Sequence, residues 1–592
     1  MATTTVSQSV VRGGGFLTAS IVPAEVFTPA DVTDDQRLIG QTASEFVNKE
    51  VLPLVADLEK HKEGLMPSLL KKAGEIGLLG AGIPEAYGGS ELDKVAATVL
   101  TEKISVYAAF SVAFGGTTGI GTIPISSFGT EEQKKKYLPK IATGGLLAAY
   151  CLSEPQAGSD SLASRTRAVL SPDGKSWILN GQKMWITNGG FADLFIVFAK
   201  VDGEKFSAFI VERNTPGFTI GAEENKMGIR GSSTVPLFFE NARIPKENLL
   251  HEIGRGHIVA FNTLNAGRHT LGVSCMGGSK KALEHGAKYS RERVAFGKSI
   301  DQFGLIQAKL GEMCIRTYAL ESMIYRTAGM FEAAMAAGTD QVKQSMQVLE
   351  EYAIESSISK VVGSETLDYC VDEGLQIFGG YGFHEDYPMA RAYRDSRINR
   401  IFEGTNEINR MLIIQMLLKR AMAGTLPLIP AAKKLADELL AGPSFEDAPT
   451  GDFAEEERSL AQSKKMFLLS AGAAVEKFRD KLAENQEVVA ALSNIVMDIY
   501  AMESSLRRAQ KSGSGANSPM AAAARAFTYD AMDRIEKEAR TALAATSEGD
   551  TLVTQLAALR RLAKHAPIDT IALRRRVAQA VMAQDKYPFE GR

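Results

Sequence analysis

One stretch of the chain, Arg397-Ile-Asn-Arg-Ile-Phe-Glu-Gly-Thr-Asn-Glu-Ile408, holds the residue types of a base set beside a ligand. The Glu403 carboxylate can take a proton, Gly404 lets backbone and substrate approach closely, and Thr405 adds a hydroxyl. The bland alternative is a helix-capping or ion-paired carboxylate, because Arg397, Arg400 and Arg410 stand nearby. A second stretch, Tyr150-Cys-Leu-Ser-Glu-Pro-Gln-Ala-Gly-Ser-Asp160, reads as a helix end whose Pro and Gly free backbone N–H groups, with hydroxyls at Ser153 and Ser159. In a third, Lys183-Met-Trp-Ile-Thr-Asn188, Trp185 and Thr187 are two residues apart and share one strand face. Amides, hydroxyls and an aromatic face suit a flat heteroaromatic ring; alternatively Trp185 plugs a β-sandwich core.

Other chemistries lack support. The sequence has no G-x-G-x-x-G, and the Gly297-Lys298-Ser299 ending of a P-loop lacks its first glycine, which would fall at Glu292. H-E-x-x-H is absent, Ser159 lacks the second glycine of a nucleophile elbow, and no metal site is expected. Cys151, Cys275, Cys314 and Cys370 are far apart with no C-x-x-C, which disfavours zinc or disulfides and fits a reducing compartment. A net charge of −3 gives no electrostatic footprint for nucleic acid. No uninterrupted apolar run approaches the roughly 18–20 residues of a membrane span.

The elements that must position these residues are read from periodicity. The 592 residues allow several domains. An arm over 1–32 is Ser/Thr-rich, but Arg12 is its only basic residue, so it reads as a short floppy or clasping arm rather than a transit peptide. Residues 33–148 have helical spacing, interrupted by Phe114-Gly-Gly-Thr-Thr-Gly-Ile-Gly121. Within 149–255, short runs at Ser176–Asn180, Phe195–Val201, Phe206–Val211, Phe218–Ile220 and Val235–Phe239 alternate with Gly-rich turns and read as antiparallel hairpins. Long helices return over 256–424. Residues 425–460 read as a linker, with an acidic, Pro-containing stretch at 441–457, and 461–592 as a further helical domain. There Leu552, Leu556 and Leu559 share a helix face near Arg560, Arg561, Lys564 and Arg574–Arg576, either a membrane-surface helix or one packed on the core.

In order, Ile83-Pro-Glu-Ala-Tyr-Gly-Gly89, the 150–160 and 183–188 stretches, Asn265-Ala-Gly-Arg268, Arg291-Glu-Arg-Val-Ala-Phe-Gly-Lys298, Gln376-Ile-Phe-Gly-Gly-Tyr-Gly-Phe383 and the Glu403 motif resemble the acyl-CoA dehydrogenase family from about 40 to 420. The C-terminal segment and Gln302-Phe-Gly-Leu-Ile-Gln307 make the chain most similar to the very-long-chain branch. The resemblance implies an α+β, mostly α fold: N-terminal helices, a central β-barrel and a four-helix bundle, with an extra C-terminal helical domain. It implies FAD, an acyl-CoA substrate, an electron-transferring flavoprotein as partner, and a homodimer or homotetramer. Glu403 then matches the base for the α-proton and Gly404 the residue against the substrate. Thr405 and Asn406 match the FAD adenosine side, Leu152 and Ser153 the flavin ring, and Trp185 and Thr187 its face and N5 side. Arg293, Phe296, Gln376 and Gly380 match contacts to the neighbouring subunit's FAD, and Arg268 and Ser159 contacts to CoA.

Two departures bear on substrate. Asn265 stands where many medium-chain relatives have an acidic residue, and no Arg lies between Ile104 and Gly121 to receive a short dicarboxylic tail. Gly115, Gly116, Gly119 and Gly121 either deepen the acyl tunnel or let two helices approach. The expected reaction is oxidation of long-chain acyl-CoA to trans-2-enoyl-CoA. An O2-using acyl-CoA oxidase and a scaffold or assembly factor on the same fold are the alternatives. The expected location is the bacterial cytoplasm, with a peripheral membrane contact through the C-terminal domain as a variant, and an organellar matrix fitting less well.

Overall fold

A computed structural model describes residues 11–337, 341–441 and 450–592; the arm's first ten residues and 442–449 of the acidic stretch expected as linker lie outside them. Helices open the chain. Thr33 starts Asp34–Phe46 by a capping box with Gln36, and Asp93 caps Lys94–Ile104 by accepting from the Ala96 N–H. The Thr130–Gln133 capping box starts Glu131–Ala142, and the Gln133 amide also donates to the Glu247 and Leu249 carbonyls. One side chain thus caps a helix and fastens it to the sheet that follows.

That sheet has eight strands: β1 (Ala148–Cys151), β2 (Arg167–Leu170), β3 (Ser176–Thr187), β4 (Leu194–Val201), β5 (Lys205–Glu212), β6 (Phe218–Ile220), β7 (Thr234–Pro245) and β8 (Leu249–Leu250). Their order is β6-β7-β3-β2-β4-β5-β8, with β1 paired to β4. The sheet curls until Phe195 of β4 meets Phe218 of β6, ring centroids 4.8 Å apart. β4 is buried on both faces, one against the barrel interior and one against the helical layer, which explains its unbroken apolar sequence. Three expectations change here. β1, β2 and β8 were too short for an alternation signal. Residues 150–160 follow a strand rather than ending a helix. β2–β4 and β1–β4 pair in parallel, so the sheet is mixed.

Helices Gly256–Glu292, Gly304–Ala336, Ala353–Phe378 and Asn406–Met422 form the bundle. Its apolar core continues without a break into Ala454–Phe478, Gln486–Lys511 and Pro519–Thr546. The Tyr318 hydroxyl donates to the Ser505 carbonyl (2.9 Å), and Arg326 pairs with Glu503 (2.8 Å), both inside this core. The C-terminal region is therefore fused to the bundle. Within the expected linker, Leu428–Ala441 is a helix whose Leu428, Leu435 and Leu439 pack into the same core. Residues 11–32 clasp: Phe16 and Leu17 are buried, Phe16 rests on Tyr500, and the Gly14 N–H donates to Glu355 (2.7 Å). Leu559 is buried and the half-buried Leu552 and Leu556 pack beside it, so this face of Gly549–Leu562 rests against the helical core. Ala108–Phe128 is long and apolar enough by composition to cross a bilayer, although Gly, Ser and Thr break its apolar run. More than half of it is buried, and it walls the cavity below.

Candidate active site

Glu403 sits in the turn before helix Asn406–Met422. Its φ is +57° and that of Gly404 is +80°, a left-handed pair that a carboxylate residue adopts only when its surroundings hold it there. They do. Asn409 Nδ2 donates to the carbonyls of Gly404 (2.8 Å) and Thr405 (3.1 Å), and Thr405 Oγ1 accepts from the Ile408 N–H (3.2 Å). The carboxylate turns to helix Gly256–Glu292 at Gly267, where a Cβ would lie 2.7 Å from Glu403 Oε2. This oxygen is enclosed and has no hydrogen-bond partner. Burial pushes the Glu403 carboxyl up to about 7, and the Arg268 and Lys360 charges restrain the rise. Arg397, Arg400 and Arg410 do not pair with it; Arg400 meets Asp368 and Arg410 meets Glu365. The ion-pair alternative for Glu403 is thereby set aside.

The cavity in front of Glu403 is shared with Thr187 at the end of β3. The two tryptophans have opposite fates. Trp177 is the barrel-core residue, whereas Trp185, with φ +62° at a break in the β3–β7 register, is 56% exposed. Leu152 and Ser153 are held near it by a pair the sequence did not advertise: Lys183 and Glu154, both fully enclosed, 2.7 Å apart. Lys183 also donates to the Leu152 carbonyl (3.3 Å), and the Met184 N–H to the Ser153 carbonyl (3.0 Å). Burial raises the Glu154 carboxyl, but Lys183 and the Arg165 N–H outweigh it and hold it below the usual range. A lysine inside a strand reads as solvent-facing, so only the short distance to Glu154 identifies this pair.

Other expected site residues separate into groups. Arg268 is buried beside Glu403, its Nε 3.4 Å from the Glu403 carbonyl and its Nη1 2.6 Å from Asn265, so in this structure it supports the catalytic turn. Ser159 lies on an exposed loop. Asn406 is turned into the bundle, bonded to Lys360 (2.7 Å), Ser364 and Glu365, and its side-chain amide is fully engaged there. Arg293, Phe296, Gln376 and Gly380 are exposed, Arg293 lies over the Tyr381 ring, and none of the four lines the cavity at Glu403. Lys360 was missed because only a contact between two helices gives it a role.

The glycines divide. A Cβ at Gly115 or Gly119 would meet nothing within 4 Å and stand in the cavity. At Gly116 it would lie 2.8 Å from Asn188 Nδ2, and at Gly121 2.6 Å from the Gly116 carbonyl, so those two serve close packing.

The residues present fit a flavin. Thr187 and the unpartnered Glu403 carboxylate line one cavity, and the exposed Trp185 indole stands two residues before Thr187 on the same strand. When bound there, FAD supplies the hydride acceptor.

Models of the acyl-CoA dehydrogenase N-terminal domain match residues 33–145, the middle domain 149–242, and two C-terminal domains 254–418 and 462–561. A probable acyl-CoA dehydrogenase of Bacillus subtilis is 47% identical over 586 residues, 98% of each chain. The mitochondrial very long-chain specific acyl-CoA dehydrogenase of Macaca fascicularis is 39% identical over 394 residues, 64% of this chain and 58% of its own. An acyl-CoA dehydrogenase from Bacillus anthracis, solved in complex with FAD, superposes with a TM-score of 0.95 at 46% identity, over 98% of this chain and 100% of that one. With Glu403 and its cavity in place, the chain belongs to the acyl-CoA dehydrogenase family and is an FAD-dependent oxidoreductase acting on acyl-CoA.

Proposed function

We propose that the substrate is a long-chain saturated acyl-CoA, converted to the trans-2-enoyl thioester, and that the electrons pass on to an electron-transferring flavoprotein. The observation that carries the chain-length reading is the cavity, which leads away from Glu403 past the open faces of Gly115 and Gly119. Glu403 takes the α-proton. Its carboxyl, poised near 7 by burial, is partly ionised around neutral pH, and its ionised form is a stronger base than an ordinary carboxylate toward a weak carbon acid. Gly267 leaves the space that the carboxylate occupies, and Arg268 and Asn409 hold the turn that aims it. The apolar wall excludes water while the proton is held on Glu403. The four cysteines are buried and free, which fits the bacterial cytoplasm. The subunit that would meet the Arg293–Gly380 surface is read as a second copy of this chain.

The test is anaerobic addition of palmitoyl-CoA to the yellow holoenzyme. Bleaching of the flavin band, lost in Glu403→Gln, is the expected result. No bleaching with any chain length overturns it. Gly119→Phe is expected to move the optimum to shorter chains by filling the cavity. Peroxide formed in step with product would assign the enzyme as an oxidase instead.

A further inference from the structure

The cavity that begins at Glu403 does not end in an apolar cap. Along helix Gly256–Glu292 its wall includes Gly267, Leu271, Cys275, Gly278, Ala282 and His285, a stripe at three- and four-residue spacing, flanked by Thr270, Ser274 and Lys281. At 1.5 Å rise per residue the stripe runs about 27 Å. A fully extended hydrocarbon advances about 1.3 Å per carbon, set by single bonds of about 1.5 Å, so about twenty carbons span it. At the far end the lining changes character: Arg391 and His285 face the cavity, with Lys281 beside them.

Arg391 comes from helix Pro388–Ser396, more than a hundred residues from the wall it completes. Its guanidinium lies over the Tyr107 ring, 5.4 Å from the centroid, and makes no ion pair among the described residues. The carboxylates around it are engaged. Asp395, which lines the same cavity and lies close enough for Arg391 to attract it, accepts from the Ile229 N–H (2.5 Å), and Glu59 accepts from the Tyr107 hydroxyl (2.7 Å). Glu284 is bonded to Lys281 (3.1 Å) and to Lys288. A planar, five-donor cation at the end of an apolar tunnel, stacked but unpaired, is arranged to receive a carboxylate in two parallel hydrogen bonds.

We propose that the enzyme accepts long-chain acyl-CoA thioesters whose far end carries a carboxylate, with Arg391 as the residue that reads it. This rests on the dehydrogenase reading above and names a substrate class for the same cavity. It also specifies a length. A short dicarboxylic chain would leave its carboxylate stranded in the apolar stretch beside Gly119 and Leu271, whereas a long one delivers it to Arg391. An arginine in the 104–121 segment would favour the short acids; this chain has none there and places one at the other end of the tunnel.

The holoenzyme is assayed with plain acyl-CoA and ω-carboxyl acyl-CoA of matched length, from about 10 to about 20 carbons. The ratio of kcat/KM for the ω-carboxyl to the plain thioester is expected to be low for short chains and to climb steeply for long ones. In Arg391→Met the long-chain ratio is expected to fall about tenfold to a hundredfold, the range for one charge-assisted contact, and Arg391→Lys to keep part of it. Bound flavin reports whether each variant is folded, and the wild-type length profile decides the matter even if one is not. A ratio flat with length, or the same ratio in wild type and Arg391→Met, overturns the proposal. Oxidation of plain palmitoyl-CoA is the internal standard: its presence leaves the dehydrogenase reading standing when the ω-carboxyl reading fails.

Discussion

Two buried carboxylates touch the same long helix, Glu403 at Gly267 and Glu321 at Lys280, and their surroundings are opposite. Glu321 accepts from Lys280 Nζ (2.5 Å), Arg508 Nη1 (2.6 Å) and the Tyr587 hydroxyl (2.5 Å). Arg508 in turn donates to the Phe589 and Arg592 carbonyls, so the end of the chain closes over the cluster. Glu102 shares Lys280 (2.7 Å); burial pushes its carboxyl up, but Lys280 and Lys103 outweigh burial and hold it well below the usual range. Glu403 is enclosed too, yet Oε2 has no donor, and its compensating charges stand off. Burial is common to both. Compensation separates a carboxylate that holds helices together from one left free to take a proton.

The comparison predicts two dissociable losses. Glu403→Gln should lower the rate of anaerobic flavin reduction by about 10³-fold, within the usual range for a positioned base, with flavin content and melting temperature nearly unchanged. Glu321→Gln should do the reverse. It leaves Lys280 and Arg508 buried without their shared counter-charge, and unfolding in denaturant should show a loss of about 3–5 kcal/mol, the flavin reduction rate of the folded fraction being retained. If Glu321→Gln slowed the chemistry as much as Glu403→Gln, the division between the two clusters would be wrong.

A smaller effect tests the space around the base. In Gly267→Ala the new methyl would lie 2.7 Å from Oε2 and 3.0 Å from the carboxyl carbon. The carboxylate must move, and a displacement of about 1 Å at a reacting group costs about 10²-fold in rate. Single-turnover reduction should show this with substrate affinity little changed. An unchanged rate would mean that the turn at Glu403 is looser than its paired positive φ values imply.

How much of this was legible depended on how local each signal is. The Glu403 stretch and the β4 run are written in contiguous residues and were read as a base beside a ligand and as a strand; the helix caps at Thr33, Asp93 and Thr130 are equally local. The open faces of Gly115 and Gly119 and the closed ones of Gly116 and Gly121 were not separable, because four glycines in a row of eight carry no sign of which neighbour each will meet. Arg391, Lys360 and the Lys183–Glu154 pair were invisible for a related reason: a charged residue is assigned to solvent by pattern, and only the partner brought by another element reverses that. Residues 425–460 were misread where acidity and prolines masked the apolar spacing of Leu428, Leu435 and Leu439.

The subtlest expected effect concerns Lys360. Its Nζ donates to Asn406 Oδ1 (2.7 Å), and its charge is one of two that restrain the rise of the Glu403 carboxyl. Burial pushes Lys360 itself down to about 8, so it still carries its proton while Glu403 ionises near 7. Removing the charge in Lys360→Met must therefore raise the Glu403 value further, and the acid limb of the rate profile should move up by about one pH unit. The same sign governs stability. A carboxyl raised above its unfolded value contributes most below that value and loses its contribution as pH rises through the folded one, so the variant's stability should fall more than wild type's on the alkaline side. Lys360→Arg, which keeps a charge, should hold the limb near its original place. A limb unmoved in Lys360→Met would reduce Lys360 to a support for Asn406 and leave Arg268 as the charge that sets the base.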